Sequence, residues 1–246
     1  LVSKPGSGLR LPWQTRYEPH EEPAMVKAIY FIKRKPGMSL EAFRAYWLKE
    51  HADLVLKVPE LCKYVQSHTL DSGYRRHEPI YDGIAELWYE NTDVMRRIAD
   101  TPESRAAGAD DANFIDMSKF AFILTQERVQ KENPLEPAMP KMISFIKRKP
   151  GMSVEEFQSY WRTHHGELAR KLPGLRRYVQ CHVRPSAYKS GRDPIYDGVA
   201  ETWFESEEAM RAGADTAEVR AVRADEKNFL AETPPPFIIA KEYVIL

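Results

Sequence analysis

Two cysteines in 246 residues, no net charge and no long apolar run remove several classes of protein at the outset. A disulfide framework needs more thiols than Cys62 and Cys181 supply, so both read as free thiols in a reducing cytoplasm. Lys plus Arg and Asp plus Glu each total 36. That balance gives no electrostatic reason to bind nucleic acid or an anionic membrane. No stretch resembles the run of about 20 apolar residues that spans a bilayer, and residues 1–24 lack the apolar segment of a signal peptide. The glycine-rich dinucleotide fingerprint, the phosphate loop ending in Lys-Ser/Thr and Gly-x-Ser-x-Gly are all missing. His-Glu-x-x-His and Cys-x-x-Cys are missing too, so no metal or other cofactor is expected.

What is present is present twice. The nine residues from Phe31 to Ser39 return letter for letter from Phe145 to Ser153, 114 positions on (145 − 31). Pro79-Ile80-Tyr81-Asp82-Gly83 returns as Pro194-Ile195-Tyr196-Asp197-Gly198, 115 positions on (194 − 79), so one residue was gained in the loop between. Repeats of this length are whole domains rather than solenoid units. The expected organisation is an N-terminal arm or leader (1–24), a first domain (25–129), a linker (130–138) holding Pro134 and Pro137, and a second domain (139–246). The two cysteines sit at non-equivalent places in the repeat, where the other copy has Arg176 and Ser67.

Each copy spells strand-helix-strand-strand-helix-strand. In the first, Val26–Arg34 reads as a strand ended by Lys35-Pro36-Gly37, and Ser39 caps a helix from Leu40 to about Val58. Strands come next around Lys63–Leu70 and Tyr81–Tyr89. A second helical region, broken near Pro102, reaches about Ile115, and Phe120–Val129 closes the copy. Ser153-Val154-Glu155-Glu156 strengthens the helix start in copy two as a capping box. Two split βαβ units of this order make a four-stranded antiparallel sheet with both helices on one face. The bare faces of the two sheets are expected to pack together as a pseudo-two-fold barrel within one chain.

Phe43, Trp47, His51, Leu54, Val55 and Val58 form one stripe of the first helix, matched by Phe157, Trp161, His165, Leu168, Ala169 and Leu172. A histidine therefore sits on the buried face in both copies, where burial and a nearby carboxylate set its charge near neutral pH. It reads either as a general acid or base or as a core histidine bonded to backbone. Tyr46 and Tyr160 lie beside it, but the next turn carries Glu50 in one copy and His164 in the other. On the adjoining strand Tyr64, Gln66 and His68 share a face, as do Tyr178, Gln180 and His182. Asp82, Glu86 and Trp88, with Asp197, Glu201 and Trp203, share a face of the neighbouring strand, so histidine and carboxylate could meet across the hairpin. The alternatives are a turn or bulge at Asp-Gly and an exposed strand face for the glutamates.

These phrases resemble the EthD-like family of the dimeric α+β barrel superfamily: Phe43-Arg44-Ala45-Tyr46-Trp47 with His51, Phe157 to Trp161 with His165, Pro173 to Gln180, and Tyr196 to Glu201. Copy one departs from the pattern at Glu60 and Cys62. The resemblance implies tandem ferredoxin-like (βαββαβ) repeats closing an intramolecular α+β barrel. One chain would then be a monomer with an internal pseudo-dimer, a homodimer being the alternative. It also implies chemistry on a small hydrophobic substrate, aromatic or polyketide-like, by a cofactor-independent lyase or isomerase. His51 and His165 would move the proton. Tyr46, Tyr160, His68 and His182 would assist. Trp47, Trp161, Tyr64, Tyr178, Asp82, Asp197, Glu86, Glu201, Trp88 and Trp203 would bind substrate. A haem-binding oxidoreductase, a cofactor-free monooxygenase and a non-catalytic binding protein are the alternatives.

Overall fold

Ser39 and Ser153 start the first helix of each copy by accepting backbone N–H bonds at 3.1 and 3.2 Å from Ala42 and Glu156. In copy two Glu156 also bonds back to the Ser153 backbone, completing the box the sequence predicts. The computed structural model describes residues 25–191 and 193–246; the arm expected at 1–24 lies outside them. Copy one contains β1 (Val26–Ile32), α1 (Leu40–Tyr46), α2 (Ala52–Val55), β2 (Leu61–Thr69), β3 (Gly83–Tyr89), α3 (Thr92–Ile98), α4 (Pro102–Phe114) and β4 (Ala121–Lys131). Copy two contains β5 (Lys141–Ile146), α5 (Val154–Tyr160), α6 (Gly166–Ala169), β6 (Leu175–Val183), β7 (Gly198–Phe204), α7 (Glu207–Gly213), α8 (Ala217–Phe229) and β8 (Phe237–Val244).

Three details differ from the sequence reading. The first helix is continuous but not α-helical throughout: Trp47–His51 and Trp161–His165 form π-helical turns between α1 and α2 and between α5 and α6. The second helical region breaks in both copies, because Thr101 and Thr216 each cap a new helix. β4 also runs to Lys131, two residues into the expected linker.

The eight strands close a barrel in the order β1-β3-β2-β8-β5-β7-β6-β4, all neighbours antiparallel. The seams between copies are β2 with β8 and β4 with β6, so each copy's edge strand is paired by the other. Strand alternation gives the sheet two apolar layers. Outward residues such as Ala28, Ile32 and Tyr64 meet Phe43, Trp47, Val55 and Phe114 of the helices. Inward residues such as Ile29, Phe31, Ile84, Phe145, Val179 and Val199 fill the barrel. Fully burying one such side chain contributes about 1.5–3 kcal/mol. Tyr81 and Tyr196 meet across the two copies, hydroxyl to hydroxyl at 3.2 Å. Among the described residues no helix is long and apolar enough to cross a membrane.

Candidate active site

The π turn carries the histidine. A π turn closes on i+5 rather than i+4, so it widens the helix locally and changes the phase of the next turn. His51, its last residue, meets Asp110 of α4, Nδ1 to Oδ2 at 2.9 Å. Asp110 Oδ1 accepts from the Tyr46 hydroxyl at 2.6 Å and from Asn113 Nδ2 at 2.8 Å. Copy two repeats the group: His165 to Asp225 at 2.9 Å, Tyr160 at 2.6 Å and Asn228 at 3.1 Å. Burial pushes each aspartate up, but these donors prevail and hold Asp110 below the usual range and Asp225 at about 2. An ionised carboxylate only accepts, so the bonded proton belongs to Nδ1 and the lone pair to Nε2. Burial lowers His51 despite the pull of Asp110.

In copy one a second carboxylate lies beside the pair. Asp111 Oδ1 is 3.7 Å from His51 Nε2, and Glu226 is its counterpart. Burial, and then the charge of Asp110, raises Asp111 to about 7; burial and Asp225 raise Glu226 to about 7 against Arg223. Such a group holds its proton on folding, so its contribution is full below pH ~4, where the unfolded chain titrates, and is lost as pH rises through 7. Replacing Asp111 by Asn and Glu226 by Gln should give a Tm advantage over the parent that grows from pH 4 to 8. A pH-independent difference in thermal melts would refute the assignment. The exposed His164 of copy two lies 3.4 Å from Asp225, where Glu50 stands in copy one.

His68 and His182 belong to a different network, between helix and sheet. Each ring packs on an indole, Trp47 or Trp161, with centroids 4.3 Å apart. Each Nε2 donates to a glutamine Oε1, Gln66 at 2.9 Å or Gln180 at 3.0 Å. Burial first, then nearby cations, lowers both imidazoles to about 3, so they stay neutral. The glutamines donate to the Tyr64 and Tyr178 hydroxyls at 2.8 Å, which also accept from the Trp47 and Trp161 Nε1 groups.

The strand carboxylates stand elsewhere. Register pairs His68 with Gly83 and Val65 with Glu86, so the histidine points to the helices and the glutamate into the barrel; they do not meet across the hairpin. Glu86 and Glu201 join Lys27 and Lys141 there. Lys27 Nζ lies 2.6 Å from Glu86 and 2.7 Å from Glu201, and Lys141 Nζ lies 2.5 Å from Glu86 and 3.5 Å from Glu201. Glu127 and Glu242 complete the cluster at 3.1 and 3.0 Å. Burial opposes it, but Lys141 and Lys27 hold Glu86 ionised. Trp88 and Trp203 lie against the two ammonium groups, each of which is 1% exposed. Cys181 lies beside Lys27, its thiol pushed up by burial, while Cys62 is exposed.

Asp82 and Asp197 close the ends of β1 and β5. Each accepts from the backbone N–H of Arg34 or Arg148, at 2.8 or 2.9 Å, pairs with the same guanidinium, and accepts from Tyr74 or Tyr188. The Asp-Gly step is neither a hairpin turn nor a bulge: Gly83 opens β3, and a Cβ there would lie 2.5 Å from the Trp47 ring.

Sequence reasoning missed Asp110, Asp225, Lys27 and Lys141, although all four lay in the repeat. Asp110-x-x-Asn113-Phe114 returns as Asp225-x-x-Asn228-Phe229, and each lysine interrupts an apolar strand at an equivalent position. The barrel is filled by side chains and the unbonded Nδ1 of His68 is enclosed, so neither place suits a haem; at His51 and His165 the aspartate bond engages Nδ1 only and leaves the Nε2 lone pair.

No curated protein matches the chain. Among solved structures it is similar to an anthrone oxidase-like protein, at 11% identity over 92% of this chain and 94% of that one, with a TM-score of 0.64. It is also similar to a candidate monooxygenase from Fusobacterium nucleatum (10% identity, 91% and 93% covered, TM-score 0.56). A third likeness is to chlorite dismutase from Candidatus Nitrospira defluvii in complex with imidazole (11% identity, 92% and 93% covered, TM-score 0.54). At these identities the likeness is one of fold. The EthD domain matches residues 35–118 and again residues 149–233, well over half of the sequence. The chain thus belongs to the EthD family, as two EthD domains in tandem.

Proposed function

We propose that this chain is a cofactor-independent acid–base enzyme for small hydrophobic molecules bearing an aromatic ring or carbonyl, with His51 and His165 carrying the proton. The observation that supports this reading is the aspartate-bound imidazole, found at 2.9 Å in both copies with the same tyrosine and asparagine. With Nδ1–H fixed on the carboxylate, Nε2 offers its lone pair as a base and then returns the proton as an acid. Isomerisation, elimination and cyclisation α to a carbonyl all begin with that transfer. Tyr46 and Tyr160 act through the aspartates, since their hydroxyl protons are given to Asp110 and Asp225. The neutral His68 and His182 hold the sheet-side wall around Trp47 and Trp161.

The test is α-proton exchange. A panel of aryl ketones in D2O should exchange faster with the protein than without it. His51→Ala with His165→Ala should abolish the acceleration while circular dichroism stays unchanged. No acceleration by the parent on any ketone, or full acceleration by the folded double variant, overturns the reading. A second reading, oxygenation of the deprotonated substrate by dioxygen, draws on the anthrone oxidase-like and monooxygenase-described relatives. Oxygen uptake coupled to the same histidines would distinguish it.

A further inference from the structure

Between the two histidine networks of each copy stands one amide. Gln66 Nε2 donates to the carbonyl oxygen of Trp47, the first residue of the π turn, at 2.8 Å. Gln180 does the same to Trp161, also at 2.8 Å. In an α-helix that carbonyl would take the N–H of the residue four places on, which is His51 or His165. In copy two that carbonyl takes the Gly166 N–H, at i+5, while in copy one the Ala52 N–H bonds the Lys49 carbonyl; in both the strand below supplies a donor to the tryptophan carbonyl.

We propose that Gln66 and Gln180 are positioning residues for His51 and His165: each amide holds the π turn at the phase that brings the histidine onto its aspartate. The proposal rests on His51 and His165 being the proton carriers, and its geometry can be traced atom by atom. The amide has two donors and both are used, one on the tryptophan carbonyl and one on the tyrosine hydroxyl at 2.8 Å. Its oxygen accepts from His68 or His182 Nε2–H. A carbonyl can only accept, so the amide has one workable orientation. His68 and His182 keep it there by donating Nε2–H to that oxygen. The buried imidazoles next to the candidate base are thus tied to it through the glutamine and the helix backbone. All of these partners recur in both copies, whereas neighbouring positions have changed, Ser67 to Cys181 and Glu50 to His164.

The repeat supplies its own control. Gln66→Met keeps the side-chain length and removes both donors and the acceptor. In imidazole-region NMR of the folded variant, the His51 Nδ1 proton should broaden away or exchange roughly tenfold faster, the effect of losing about one buried hydrogen bond. The His165 proton in the same spectrum should be unchanged, and Gln180→Met should reverse the pattern. An unaltered His51 signal in folded Gln66→Met overturns the proposal. Equal loss at both histidines overturns it too, since that is general loosening. If neither variant folds, side-chain amide exchange in the parent decides: protected Gln66 and Gln180 protons support the clamp, and exchange at the rate of an exposed glutamine overturns it. The readout is a hydrogen bond, so an inactive parent would refute the enzyme and leave the clamp standing.

Discussion

Lys27→Met should destabilise the fold by about 3–5 kcal/mol, the usual cost of removing one partner from a buried ion pair. The substitution is close to isosteric, so packing changes little. The decisive change is that Glu86, Glu201 and Glu127 lose the ammonium they share. Glu86 and Glu201 are buried at 0% and 1% exposure, and water cannot replace it. The carboxylates can respond by taking up protons, so the loss should shrink as the pH is lowered. Glu201→Gln added to Lys27→Met should recover part of it. Urea unfolding at pH 8 and pH 5 measures both effects. A loss below about 1 kcal/mol at pH 8, typical of an exposed pair, would mean that the cluster is hydrated and that the barrel centre is misassigned.

Asp110→Asn with Asp225→Asn should cost about 10²–10⁴ in the α-proton exchange of aryl ketones, with little change in fold. The reason lies in which atoms compete. The Oδ1 of Asp110 already takes two donors, Tyr46 and Asn113. The new asparagine will keep its oxygen there, which turns its NH2 group toward His51 Nδ1. That nitrogen must then accept, so the ring proton moves to Nε2 and the basic lone pair there is lost. Tyr160 and Asn228 impose the same choice on copy two. Each single variant should retain the exchange of the other copy, if both sites work. A double variant with parental rates would remove the aspartates from the mechanism.

The fold was largely legible because its signals are local or repeated. The helix stripes, the serine caps and the βαββαβ order come from residues close in sequence. The barrel comes from two sheets each with an apolar face to cover. The site was half legible. His51 and Tyr46 stand on one helix and could be read together, but Asp110 is 59 residues further on (110 − 51) and its placement depends on how α4 packs. The π turn was hidden because its apolar stripe also fits an ordinary helix. Alternation sorted each strand into two faces, yet only the register tells which faces match, so His68 was placed beside a carboxylate that points away from it. Lys27 and Lys141 escaped notice because lysine is almost never fully buried unless paired, and their partners lie on other strands.

The cluster at the barrel centre has a consequence for how such a chain can change. In a barrel made by two identical chains, every residue on the axis faces its own copy, and a mutation arrives on both sides at once. A substitution that is harmless singly can then fail because it is doubled. Here the two sides are separate codons. Ser67 donates to Glu86 at 2.9 Å, while its counterpart Cys181 accepts from Lys27. A hydroxyl and a thiol thus occupy equivalent places around one set of charges, a combination that identical subunits could not encode. With both copies in one chain, the centre is made of two independently inherited halves, free to drift apart one residue at a time.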